Sequence, residues 1–296
     1  MKKILTICVV LLLTAATMLY AEPKKLTILH TNDLHSHFLG FSPNVDYTSY
    51  KTGDDNTLGG WARISTVFKE IREDRDNPVL TLDAGDYLMG SLFHMLCREE
   101  AFELQLMDRM GYDVTTLGNH EYDLFPDGLA RIINSAKSAG RLPGIVASNV
   151  VFDKESKKDD SLEEVFKKGL VKPYLVMEKD GLKIGYFGLM GKNAAEVAPF
   201  SSPVSFSDTL TTAREMVKTL REKEKVDIVI CLSHSGLWVD ESKSEDEILA
   251  KEVDGIDIII SGHTHTKLNA PLQVHDTIIV QAWAYGRQVG VMDISF

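Results

Sequence analysis

Five short runs of aliphatic and β-branched residues, at 26–30, 79–82, 114–117, 228–232 and 256–260, each lead directly into a segment rich in Asp, Asn, His and Gly. Runs of this length and composition read as strands. Between them, Ile64, Val67, Phe68 and Ile71 recur at helical spacing, as do Ala213, Met216, Val217 and Leu220. Strands alternating with amphipathic helices predict an α/β fold in which helices cover a mostly parallel sheet. Runs at 175–177 and 183–187 flank Asp180-Gly181 and read as a hairpin. Further runs at 278–281 and 289–295 read as antiparallel strands, so a second sheet packed on the first is expected. The polar stretch 42–56 and the charged stretch 153–168 read as surface.

In a mostly parallel sheet the carboxyl ends of the strands lie along one edge, so the five polar segments are expected to converge on one crevice. They are Asn32-Asp33-Leu34-His35, Gly85-Asp86, Gly118-Asn119-His120-Glu121, Ser233-His234 and Gly262-His263-Thr264-His265. Imidazole and carboxylate together suit first-row divalent metals. Five of the nine histidines fall in these segments; for His30, His37, His94 and His275 structural roles are expected. Gly118 and Gly262 are expected to permit tight turns. Glu121 lies between two candidate residues, and adjacent side chains cannot all face one point, so a supporting role is expected for it.

The first 21 residues carry Lys2, Lys3, an apolar run at 4–13 and small residues up to Ala21. They read as a secretory signal peptide cleaved after Ala21, with residues 22–296 remaining as one domain that is periplasmic or secreted. The apolar run is shorter than the roughly 20 residues of a spanning helix, so no stable membrane span is expected after cleavage. Cleavage removes two lysines and no acids, leaving 30 basic residues against 43 acidic ones, a net charge of −13. Such a surface excludes nucleic acid polymers as partners and requires cations to hold an anionic substrate. Cys97 and Cys231 are then the only cysteines left, too few for a disulfide framework.

The ordered set D-x-H, G-D, G-N-H-E-x-D, a lone strand-terminal H and G-H-T-H resembles the calcineurin-like metallophosphoesterases, and within them the 5′-nucleotidase and UDP-sugar hydrolase family. The finer likeness rests on residues 28–35 with His37, on Gly59-Gly60-Trp61-Ala62-Arg63 and on Asp123; Asn149 matches a further family motif, for which a structural role is expected. The resemblance covers residues 26–296 and implies a four-layer α/β/β/α sandwich. It implies two divalent ions (Zn, Mn, Co or Fe): one held by Asp33, His35 and His265, the other by Asn119, His234 and His263, with Asp86 bridging. It also implies that His120 faces the phosphoryl group and that Asp123 orients it. Seven ligands with so few anionic oxygens leave the site positive, favouring a bound hydroxide and an anionic substrate.

The family's second domain, which reads the nucleobase, has no counterpart before Phe296. A catalytic domain acting alone, or with a separate substrate-binding chain, is therefore expected. The implied activity is 5′-nucleotidase-like phosphomonoester hydrolysis of a small phosphate ester such as a nucleotide. Cyclic-nucleotide phosphodiesterase and UDP-sugar pyrophosphatase are the alternatives, with a non-catalytic metal-binding module as the contrasting class.

Overall fold

The fold is taken from a computed structural model, which describes residues 24–40 and 57–295. The expected signal peptide, residues 1–21, and the polar stretch 42–56 lie outside the described residues. The strands are β1 (Lys25–Thr31), β2 (Val79–Asp83), β3 (Val114–Thr116), β4 (Gly144–Val146), β5 (Val150–Val151), β6 (Val171–Lys172) and β7 (Tyr174–Lys179). They continue as β8 (Leu182–Met190), β9 (Ser205–Phe206), β10 (Ile228–His234), β11 (Ile258–Ser261), β12 (Leu272–Val274), β13 (Thr277–Val280) and β14 (Gly290–Ser295).

Two six-stranded sheets form, in the orders β14-β1-β2-β3-β4-β6 and β12-β13-β11-β10-β8-β7. Their inner strands are parallel, and β14, β12 and β7 close edges as antiparallel strands. The apolar residues of each strand divide with period two. From β1, Leu26 and Ile28 join Leu80, Leu82, Ile184, Ile230 and Ile260 in a core between the sheets, whereas Leu29 faces an outer core with Trp61, Ile64 and Phe68. From β10, Val229 and Cys231 face a second outer core with Ala213, Val217 and Leu249. Three cores between four layers make an α/β/β/α sandwich, and burial on both faces explains why the central strands read as runs of mainly aliphatic and β-branched residues. Cys97 and Cys231 are buried thiols in the two opposite outer cores.

Several expectations are corrected in detail. The five strands do not share one sheet: β1, β2 and β3 lie in one, β10 and β11 in the other. The run at 278–281 does pair antiparallel with β12, but its other neighbour, β11, runs parallel to it, because the β11–β13 connection crosses back to the same end of the sheet. Val67 is 36% exposed, on the solvent side of the Trp61–Glu73 helix, whose buried face is Trp61, Ile64 and Phe68. Within the charged stretch, the Asp160–Lys167 helix buries Leu162 and Val165. The hairpin forms as expected, with Lys179 opposite Leu182 and positive φ at both Asp180 (50°) and Gly181 (70°), the twist-compatible two-residue turn.

Candidate metal centre

The two sheets present the carboxyl ends of their parallel strands at the same edge of the sandwich, and the polar segments meet across the gap. Backbone hydrogen bonds lock the loops together: Asp33 N–H donates to Gly85 O (2.9 Å), His35 N–H to Asp86 O (2.9 Å) and Tyr285 N–H to Asp33 O (2.7 Å). Asp33, His35, Asp86, His263 and His265 all have φ between 49° and 71°. A non-glycine residue in this left-handed region is uncommon and strained, and such residues persist where surrounding contacts over-determine them. Five of the seven candidate residues are thus held in sharp turns that aim their side chains inward.

Six of the seven fall into two triads, with Asp86 between them. Asp33 Oδ1 lies 3.4 Å from His265 Nε2 and 3.9 Å from His35 Nε2, and the two Nε2 atoms are 3.0 Å apart. Asn119 Oδ1 lies 3.1 Å from both His234 Nε2 and His263 Nδ1. Asp86 Oδ2 stands between the triads, 3.1 Å from His234 Nε2 and 3.9 Å from His35 Nε2. Asp33, His35 and His265 form one group able to hold a cation, and Asp86 groups with His35 and His120 and with Asp33 and His234.

Whether these residues fit a metal is decided by where their protons sit. His234 Nδ1 donates to Ala84 O (2.7 Å) and His35 Nδ1 faces Leu88 O (3.3 Å). A neutral imidazole carries one proton, so both Nε2 atoms then present lone pairs to carboxylate, amide or imidazole acceptors. Lone pairs facing lone pairs in a buried site repel unless a cation or a proton lies between them. Without a cation, protons take that place: burial opposes charge on His234, but Asp86 outweighs it and raises that imidazole to about 10. Burial and the neighbouring His234 push His263 down to about 4. The donor set fits divalent ions.

The cleft above, of about 480 Å³, is lined by candidate residues together with His37, His120, Val197 and Tyr285. His120 Nδ1 lies 2.7 Å from Asp123 Oδ2, and its backbone N–H donates to Asp86 Oδ1 (2.9 Å). Burial disfavours its charged form, but the Asp123 hydrogen bond and the charge of Asp86 raise it to about 9. Glu121 is fully buried and accepts backbone N–H bonds from Gly118 (2.5 Å), Asp86 (2.9 Å) and Leu88 (3.0 Å), which buckles two ligand loops together. Asn149 likewise bridges backbone, to Met190 and Ser207.

The chain turns directly after Gly118 and at Gly262, as expected, and both glycines also serve close approach: Gly118 has φ −99°, and a Cβ at either position would collide with the His234 ring. Sequence reasoning missed Asn32, whose amide ties the Asp33 turn to Trp283 O (2.5 Å) and Ala282 N (2.7 Å). It also missed Tyr285, whose ring lies 4.6 to 5.3 Å from His35, His37 and His265. Asn32 stands in the first polar segment, where its adjacency to Asp33 was the signal that could have given it a role, whereas Tyr285 stands beside no ligand motif. His37 lines the cleft, whereas His94 accepts the Met89 N–H and His275 lies in the turn between β12 and β13.

Two packed sheets with helices outside, and a cation-ready cluster where their strands end, define the α/β/β/α metallophosphoesterase class. The chain matches the calcineurin-like phosphoesterase family over residues 26–267 and belongs to it. It is 34% identical over 292 residues to the trifunctional nucleotide phosphoesterase YfkN of Bacillus subtilis, covering 92% of this chain and 18% of that protein. It is 29% identical to rat 5′-nucleotidase, covering 93% and 47% respectively. Among solved structures, the 5′-nucleotidase precursor of Thermus thermophilus superposes with a TM-score of 0.73 at 29% identity, over 92% of this chain and 51% of that one. The chain thus spans about half or less of the length of these relatives.

Proposed function

We propose that this chain is the catalytic domain, residues 22–296, of an exported two-metal phosphoesterase that hydrolyses nucleotide phosphomonoesters, with residues 1–21 as its signal peptide. The observation that carries the reading is the pair of triads with Asp86 between them and the His120–Asp123 pair at the cleft. Asp33, His35 and His265 would hold one divalent ion, and Asn119, His234 and His263 the other, with Asp86 shared. When bound, such ions supply Lewis acidity toward phosphoryl oxygens and activate water.

The chain's own groups do the rest. The hydrogen bond to Asp123 fixes the proton of His120 Nδ1, which leaves the far edge of the ring to donate to charge developing on the phosphoryl group or to the leaving oxygen. The acidic surface gives no general attraction for anions, so an anionic substrate is drawn to the cleft itself. Nucleotides as substrates are supported by the names of the relatives: nucleotide phosphoesterase, apyrase and 5′-nucleotidase. Among the described residues no helix is long and apolar enough to cross a membrane.

The test is an activity panel on the chain from residue 22 onward, loaded in turn with Mn, Zn, Co and Fe(II). Substrates are nucleoside monophosphates, cyclic nucleotides, UDP-sugars and an aryl phosphate. Hydrolysis of monophosphates above the others is expected. Faster cleavage of cyclic nucleotides or UDP-sugars would replace the monoesterase reading, and no turnover of any ester with two ions bound would overturn the enzyme.

A further inference from the structure

Each candidate imidazole has an inward nitrogen that faces the cluster and an outward one that must carry the ring's proton if the inward one is to bind a cation. For three of the four, an oxygen is set against the outward nitrogen. Ala84 O meets His234 Nδ1 at 2.7 Å, Leu88 O faces His35 Nδ1 at 3.3 Å, and Asn193 Oδ1 meets His263 Nε2 at 2.9 Å. The first two anchors are backbone carbonyls. The third is a side chain, from a helix, Lys192–Glu196, outside the five strand-end motifs. Its position is itself held: the Lys192 and Asn193 N–H groups donate to the two oxygens of the Glu245 carboxylate, at 2.7 and 2.9 Å. The loop before it is pressed against the site, since Gly191 N–H donates to His234 O (3.0 Å) and a Cβ at Gly191 would collide with Ser235.

We propose that Asn193 is a positioning residue for the metal centre. Its amide oxygen holds the proton of His263 on Nε2, so that Nδ1, 3.1 Å from Asn119 Oδ1, presents its lone pair to the ion shared with Asn119 and His234. Glu245 fixes Asn193 in turn. The inference rests on the two-metal reading above and goes beyond it by naming what sets the tautomer of one ligand. An outer hydrogen-bond partner of a ligating histidine commonly contributes about 10- to 100-fold in metal affinity, and here the anchor is one a substitution can remove.

The experiment reads metal and proton directly. Zn²⁺ and Mn²⁺ affinities are measured by chelator competition on wild type, Asn193→Ala, Asn193→Asp and Glu245→Gln, with ions counted per chain. Imidazole ¹⁵N resonances of the metal-free protein report which His263 nitrogen carries the proton. Asn193→Ala is expected to weaken one of the two ions by about 10- to 100-fold and leave the other. Asn193→Asp, which can only accept, should restore it, and Glu245→Gln should weaken the same ion less. A wild-type His263 protonated on Nδ1, or unchanged binding of both ions by Asn193→Ala, would overturn the proposal. If Asn193→Ala does not fold, the wild-type resonances and the Asn193→Asp affinities still decide it. A wild type that takes up no ions would instead refute the metal centre, and is distinguishable because every variant would then be equally empty.

Discussion

Replacing Glu121 tests whether a residue that touches no substrate sets the geometry of the site. Its carboxylate accepts three buried backbone N–H groups, those of Gly118 and Asp86 on Oε2 and that of Leu88 on Oε1. Leaving a buried donor unpaired costs about 1 to 3 kcal/mol. Glu121→Ala orphans all three, so its cost is about 3 to 9 kcal/mol, against a total stability of about 5 to 15 kcal/mol for a typical domain. Glu121→Gln keeps one oxygen. With its NH₂ turned toward Leu88 it opposes one donor to another and retains two bonds, costing about 1 to 3 kcal/mol. The assay is urea unfolding of wild type and both variants, with hydrogen exchange at the Gly118, Asp86 and Leu88 amides. The alanine variant should unfold at much lower urea, and the glutamine variant should show faster exchange at Leu88 first. A loss under about 1 kcal/mol in Glu121→Ala, with all three amides still protected, would refute the buckle.

Asp86→Ala should lose both ions and all metal-dependent turnover, because Asp86 is the carboxylate between the triads; two ions retained on metal analysis would contradict this. His120→Asn should lower turnover of an alkyl phosphate by about 10²- to 10⁴-fold with both ions in place, and Asp123→Ala by about 10- to 100-fold; unchanged turnover in His120→Asn would remove it from the mechanism. His30 is buried between the sheets, and that burial lowers its imidazole to about 4. The unfolded chain therefore binds its proton first, and stability should fall by about 3 kcal/mol as pH drops from about 6.5 to 4. His30→Leu should flatten that part of the profile; identical pH slopes in wild type and variant would count against it.

Much of the architecture was legible in the sequence because burial on both faces favours aliphatic and β-branched residues in a central strand, so β1, β2, β10 and β11 announce themselves as mainly apolar runs even though β1 also buries Thr27 and His30. The same logic made the site legible: a buried strand has no reason to end in Asp, Asn and His together unless its end does chemistry. What stayed hidden is whatever depends on partners distant in the chain. The runs do not reveal that β10 and β11 belong to a different sheet from β1, because an apolar strand looks alike in either. The left-handed turns at Asp33, His35, Asp86, His263 and His265 run against local preference, and hydrogen bonds to other loops tie the first four. Asn193 is a polar residue on a short helix until the fold sets it 2.9 Å from His263. The sequence by itself determined which residues could bind a cation, since donor chemistry belongs to side chains. Only the tertiary structure decided which nitrogen of each imidazole faces the cluster, because a tautomer is chosen by the oxygen that packing brings to the other side of the ring.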